Sequence, residues 1–206
     1  MSKSILAAAA AAFVLSQGLP ALAQLPPGVF VGEHDYHLAP AGAYALDPSH
    51  TAVVAKVSHI GYSLSVFRFD KVEGVLNWDP ASPTRSSMRV SVDVASIDTP
   101  VPNFATQLAG AGYLNAAAFP KASFVATAFH QIDASHGRVD GDFTLMGRTR
   151  PMSFDVELIG AGKGFMGHPR IGIEAKGALD PRAFGMNAMF STPIELVIDA
   201  EFARTP

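Results

Sequence analysis

The sequence predicts an all-β fold: an antiparallel sheet of eight strands closed into a barrel, with a short helical segment between strands and a signal peptide ahead of it. Three observations carry this. From residue 43 onward apolar and polar side chains alternate, as in Met88, Val90, Val92 and Val94 against Ser87, Arg89, Ser91 and Asp93. A strand points successive side chains to opposite faces, so such a segment is apolar on one side and wet on the other, the pattern of an antiparallel sheet around a greasy interior. The inward phases carry almost no charge. Finally, the apolar phase changes inside one long segment, which supplies a bend of the kind a closing sheet needs.

Residues 1–23 read as the signal peptide. Lys3 is a short basic region, 5–15 an apolar run, and Ala21-Leu22-Ala23 a small-residue cleavage site. The run is too short for a comfortable transmembrane helix, so no stable membrane insertion is expected and the expected location is the periplasm. The chain has no cysteine. It therefore has neither a lipid-attachment site nor disulfides, and its core must hold the exported domain together alone. Residues 24–42 are rich in proline and glycine without any period and read as a flexible leader. His34 and His37 lie close together there, but a mobile loop offers no rigid geometry and no obvious third ligand, so no metal is assigned.

The domain occupies 43–206, and the mature chain of about 180 residues suits one core. The formal charge is −3, and loss of Lys3 takes it to −4. With no basic run or stripe, nucleic acid is excluded as a partner.

The first strand is predicted at 44–47 and the second at 51–59, with Val53, Ala55, Val57 and His59 on one face. A long strand over 64–78 starts in the phase of Phe67 and Phe69 and continues in that of Val72, Leu76 and Trp78. Such a shift marks a β-bulge, here near Asp70. After a strand at 88–94, prolines, alanines and glycines fill 100–118. Phe104, Leu108, Tyr113 and Leu114 recur there about a helical turn apart, which predicts one or two helical turns over an end of the sheet. Strands resume at 122–132, 138–145, 150–159, 170–179 and 194–203, with turns at 133–137 and 147–149.

Eight strands enclose a space just wide enough to fill with side chains or to hold one small ligand. Ala55, Gly74, Ala126, Gly141, Ala175, Gly177 and Ala200 fall on inward faces. Either they hollow the barrel or they relieve crowding at bends, and pattern leaves both open.

Chemistry is sparse. There is no nucleophile elbow, no serine–histidine–acid order and no inward pair of carboxylates. The glycines of 160–164 lead into no helix and form no phosphate cradle. No catalytic residue and no cofactor is assigned, and the chain is not expected to be an enzyme. His59 is the one polar residue on an apolar face: a rim histidine satisfied by a carbonyl or hydroxyl, or a ligand contact. Arg182 has the same two readings. Phe104, Leu108, Tyr113, Leu114 and Phe119 form a lid or a plug. Val125 and Val197, on outward phases, mark a candidate homodimer face.

Six segments in order then carry a resemblance: Asp47-Pro48-Ser49-His50-Thr51; Val57 to Ser63 with its central His59; Ser96-Ile97-Asp98-Thr99; Phe119-Pro120 through Phe124; Gly141-Asp142-Phe143-Thr144 through Pro151; and Arg182-Ala183-Phe184-Gly185-Met186. Together they resemble the YceI-like family of polyisoprenoid-binding periplasmic proteins over essentially 44–202. The resemblance implies a lipocalin-like barrel, often dimeric, holding an isoprenoid or other long-chain lipid, with His59 and 104–108 near it. With the apolar positions Val53, Val57, Phe67, Phe104, Leu108, Phe119, Phe143, Phe154, Phe184 and Met186, His59 completes the expected contact set. Where relatives carry Arg, Asp and His after S-I-D-T, this chain has Phe104, Ala105 and Gln107, and Phe67 stands where they often have glycine. These changes remove charge and add bulk, so a neutral quinone or fatty amide suits the site as well as a prenyl phosphate. The competing readings are an enzyme acting on a lipid head group with His59 as acid or base, and a filled, stress-related interaction protein.

Overall fold

Each alternating segment forms a strand, in the predicted order. The computed structural model describes residues 26–164 and 167–206, so the segment expected to be a signal peptide lies outside the described residues. The strands are β1 (Gly42–Leu46), β2 (Ala52–His59), β3 (Ser63–Phe69), β4 (Val72–Trp78), β5 (Ser87–Asp93), β6 (Ile97–Asp98), β7 (Lys121–Gln131), β8 (His136–Leu145), β9 (Arg148–Gly162), β10 (Arg170–Leu179) and β11 (Ile194–Arg204). One helix, α1 (Phe104–Ala109), lies between β6 and β7.

Hydrogen bonding runs β1-β4-β5-β7-β8-β9-β10-β11, and β11 pairs back with β1, which closes the sheet. Three staves of the barrel are composite. β1 and β2 follow one another along β11, with Leu46 opposite Phe202 and Ala55 opposite Leu196. β4 then pairs with β1 while β3 pairs with β2, and β5 and β6 pair in turn with β4 and β3. Each composite counts as one stave, and the result is an eight-stranded, up-and-down antiparallel barrel.

The segment predicted as one bulged strand over 64–78 is thus broken at Asp70 and Lys71. Its neighbours break at the same level, at the 3-10 turns Pro48–His50 and Val94–Ser96. Asp47 and Asp93 cap these turns by accepting from the amides of Ser49 and Ala95. Arg170 ties the first break to β11: it donates to Asp47 at 2.8 Å and also to Glu201. That guanidinium, helped by His50 and the Ser49 amide, holds the Asp47 carboxyl down at about 2 despite some burial. Bulges at Thr127 in β7 and Ile159 in β9 add curvature.

The two ends of the barrel differ. At one, the helix end, α1 and the segments 110–119 and 180–193 cover the opening, and Leu108, Leu114, Phe184 and Phe190 are buried. At the other, the leader end, stand the β7–β8 hairpin tip and the residues before β1.

Two expectations are corrected. The leader is not loose over its second half: Glu33 and Ala161 exchange backbone hydrogen bonds of 2.9 and 2.8 Å, Ala39 is fully buried, and the Tyr36 amide donates to Ala134. Backbone bonds and one aromatic ring anchor it, and neither leaves a period in the sequence. Val197 faces outward but is buried between Val54 and Lys176 of the flanking strands, so it offers no free dimer face; Val125 is exposed.

Candidate binding cavity

A cavity of about 270 Å³ runs along the barrel axis, walled by side chains from both the helix-end and leader-end core clusters. Of the expected contact set, Val53, Val57, Phe67, Leu108, Phe143, Phe154 and Met186 line it. Five of the seven small inward residues sort by type. Ala55, Ala175 and Ala200 line the cavity and widen it. Gly141 and Gly177 instead seat aromatic rings. A Cβ on Gly141 would lie 2.5 Å from the Val125 carbonyl oxygen and against the Phe124 ring; one on Gly177 would lie 2.8 Å from Phe154. Those two rings meet edge to face at 5.1 Å, so the glycines make room for a packed pair within the wall.

Four expected contacts lie outside the lining. His59 continues the inward parity of β2 but is its last residue, above the wall, and is exposed. It therefore stands at the helix end of the barrel, outside the cavity lining. Phe104 in α1 is half-buried and packs 6.1 Å from Phe67. Phe119 is half-buried over the β8–β9 turn, where a Cβ on Gly147 would meet its ring at 2.7 Å. Phe184 is buried behind Phe143, edge to face at 5.5 Å. The apolar set around α1 therefore plugs the helix end: Leu108 and Leu114 form its inner surface, and the other rings buttress it. Arg182 is exposed and donates to the Ser191 carbonyl within this plug.

At the leader end the lining reaches the β7–β8 hairpin, with its polar residues Gln131, Asp133, Ser135, His136 and Arg138, beside Tyr36 and Trp78. Sequence reasoning placed the polar contact at the opposite end and missed this rim. Asp133 accepts from the Ser135 amide and from the His136 amide and ring, and these bonds hold its carboxyl down at about 2. On the outward face of the same hairpin, outside the lining, Asp140 accepts from Ser153 at 2.5 Å, Arg138 at 2.8 Å and His130 at 2.8 Å, and its carboxyl is likewise held down at about 2. Arg138 is the only lysine or arginine among the described lining residues, and Asp140 and Ser153 already occupy it.

Trp78 ends the inward row of β4, and its ring meets Tyr36 edge on at 5.8 Å. Its indole Nε1 is shut off from solvent and has no acceptor among the described residues. An unpaired buried donor of this kind costs about 1–3 kcal/mol.

A closed barrel of eight strands around an apolar cavity belongs to the class of small barrels that can enclose a single ligand. The YceI-like domain model matches residues 44–202, and the chain belongs to that family. It is 30% identical over 168 residues to protein YceI of Escherichia coli O157:H7, covering 79% of this chain and 87% of that protein. The fold is shared with the Campylobacter jejuni YceI protein, at a TM-score of 0.66 and 24% identity over 73% of this chain and 91% of that one. It is also shared with a polyisoprenoid binding domain from Saccharophagus degradans, at a TM-score of 0.56 and 13% identity over 81% of this chain and all of that one.

Proposed function

We propose that this protein is a periplasmic carrier that encloses the apolar chain of an isoprenoid or comparable long-chain lipid. One observation carries the reading: an apolar cavity of about 270 Å³ reaches from the plugged helix end to a polar rim. An engineered apolar cavity of about 150 Å³ already binds benzene, so space on this scale admits hydrocarbon. Burial gives about 0.8 kcal/mol per methylene, so roughly ten methylenes contribute about 8 kcal/mol before the cost of association. Membership of the YceI-like family supports the reading, as does the shared fold of a domain described as polyisoprenoid-binding.

The test is native mass spectrometry of the mature protein from its own host, followed by lipid extraction. The expected result is a non-covalent adduct that yields an apolar lipid. The double variant Ala55→Leu, Ala175→Leu, which fills the wall, should keep its circular dichroism and lose the adduct. Protein that carries nothing and takes up no lipid probe would remove the proposal. Export is tested by the N-terminus of the periplasmic species, which should begin at Gln24.

A further inference from the structure

We propose that the helix end of the barrel is a docking face for a lipid bilayer: the β2–β3 turn enters the head-group region, held there by hydrophobic burial rather than by charge. The two ends differ in the segments that build them. At the helix end, 58–67, 99–119 and 183–194 contain no aspartate, glutamate, lysine or arginine. At the leader end every connection carries charge: Glu33 and Asp35 before β1, Asp79 and Arg85 between β4 and β5, Asp133 between β7 and β8, and Lys163 between β9 and β10. A solvated turn ordinarily presents polar groups, yet Ile60 and Tyr62 stand 83% and 89% exposed at the tip of the β2–β3 turn. Leu64, on the outward face of β3, and Val101, three residues past the β6 strand that pairs with β3, are exposed at the same end. Ile60 also holds φ 54°, a left-handed conformation that disfavours a β-branched side chain and suits asparagine or glycine. The turn keeps an apolar side chain where solvent and backbone both oppose one.

A bilayer fits this face better than a folded partner does. A standard protein interface takes roughly 20–30 residues a side. The exposed apolar side chains here are few and stand on a turn, a shape that enters a fluid interface without a matching contour. Tyr62 joins an apolar ring to a hydroxyl, the character of side chains at the level of lipid head groups. With no carboxylate in these segments nothing there repels lipid phosphates, and with no lysine or arginine nothing there depends on them. A turn of this size reaches only the interface, so docking is peripheral and reversible. It stands apart from the carrier reading, since an empty barrel would dock as well.

The test is flotation of the mature protein with phosphatidylcholine vesicles, with and without phosphatidylglycerol. Wild type should float with both, at affinities within about twofold of each other and insensitive to salt. Ile60→Asn suits the left-handed backbone and removes the hydrocarbon. It should keep or raise the melting temperature and lower vesicle affinity about 10-fold. Ile132→Thr, at an exposed position of the leader end, should leave that affinity within about twofold. The chain has no cysteine, so a polarity-sensitive dye on Tyr62→Cys reports this locus alone. The dye should shift to the blue on docking, and one on Ile132→Cys should not. Flotation that needs phosphatidylglycerol and vanishes in salt overturns docking by burial. Full vesicle affinity in Ile60→Asn, or no flotation of the wild type, overturns the docking face. Dimers in sedimentation that Ile60→Asn abolishes, without flotation, assign the face to a second copy along the edge of β3 beyond its pairing with β6, and overturn the bilayer equally. None of these outcomes bears on lipid uptake in native mass spectrometry, so the carrier reading stands or falls separately.

Discussion

At the helix end, Leu108 is 2% exposed and Leu114 7%, and Phe184 and Phe190 back them in one apolar plug. At the leader end, Tyr36 and Trp78 are half-buried, and the rim beyond them carries the Asp133 carboxylate, two imidazoles and one arginine. The same sheet is thus closed by hydrocarbon at one end and by hydrogen bonds at the other. Hydrocarbon packing supplies stability, because every lost contact leaves a void. Polar closure at a solvated rim is exchanged easily with water, so that end is the one suited to admit and recognise a ligand.

Truncation should expose this contrast most strongly. Leu108→Ala removes buried methyl groups from the plug and should cost about 2–5 kcal/mol in urea unfolding. Met88→Ala, in the half-buried wall toward the leader end, should cost less than half as much, because part of that side chain already faces the cavity. Equal losses would erase the distinction between the ends.

The wall itself gives the next largest effect. Gly141→Ala places a methyl group 2.5 Å from the Val125 carbonyl oxygen, which belongs to a paired strand and cannot swing aside. We expect a loss of about 1–3 kcal/mol, with the Phe124–Phe154 pair displaced. Ala175→Val faces the cavity and should change stability by less than about 1 kcal/mol while reducing lipid uptake. Comparable destabilisation by the two would show that both positions are packed alike.

Acid should separate the ends by charge. Asp47, held at about 2 by Arg170, lies below its usual value near 3.8, so its contribution is fully present above about pH 5 and fades as pH falls through 2. The stability at stake is up to about 2 kcal/mol, since each pKa unit is worth about 1.4. Amide exchange in β1 and at the start of β10 should therefore quicken between pH 4 and 2 before it does in α1. Arg170→Met should flatten that acid limb. An unchanged limb would mean that the triad of Asp47, Arg170 and Glu201 contributes no net coupling.

What the sequence made legible follows from what leaves a period. Strand identity and inward parity were readable from alternation, and the break at Asp70 from the phase change. That the breaks at 47–51, 70–71 and 94–96 line up was not, because alignment is a matter of register between strands. The strap at 32–39 was invisible for a related reason: one backbone bridge and the Tyr36 ring hold it, and neither makes a pattern. Trp78 was readable as an inward residue, but the lack of an acceptor for its N–H depends on residues distant in the chain. The small residues could not be sorted, since alanine against space and glycine against a ring look the same in one sequence.

His59 is where parity and height part company, and it carries the smallest effect. Alternation along β2 puts it on the same face as Val53, Ala55 and Val57, all of which line the cavity. The strand simply ends there, one position before Ile60 turns into a left-handed conformation at φ 54°, so the ring stands clear of the wall. Parity fixes a direction, whereas contact with a ligand also needs depth below the rim. His59→Ala should therefore shift stability by less than about 0.5 kcal/mol and leave lipid affinity within about twofold. Measured by uptake of a lipid probe beside the wild type, it tests whether the helix end takes part in binding. A large loss of affinity at His59 would move recognition to the helix end, and the plug there would have to open to admit the lipid.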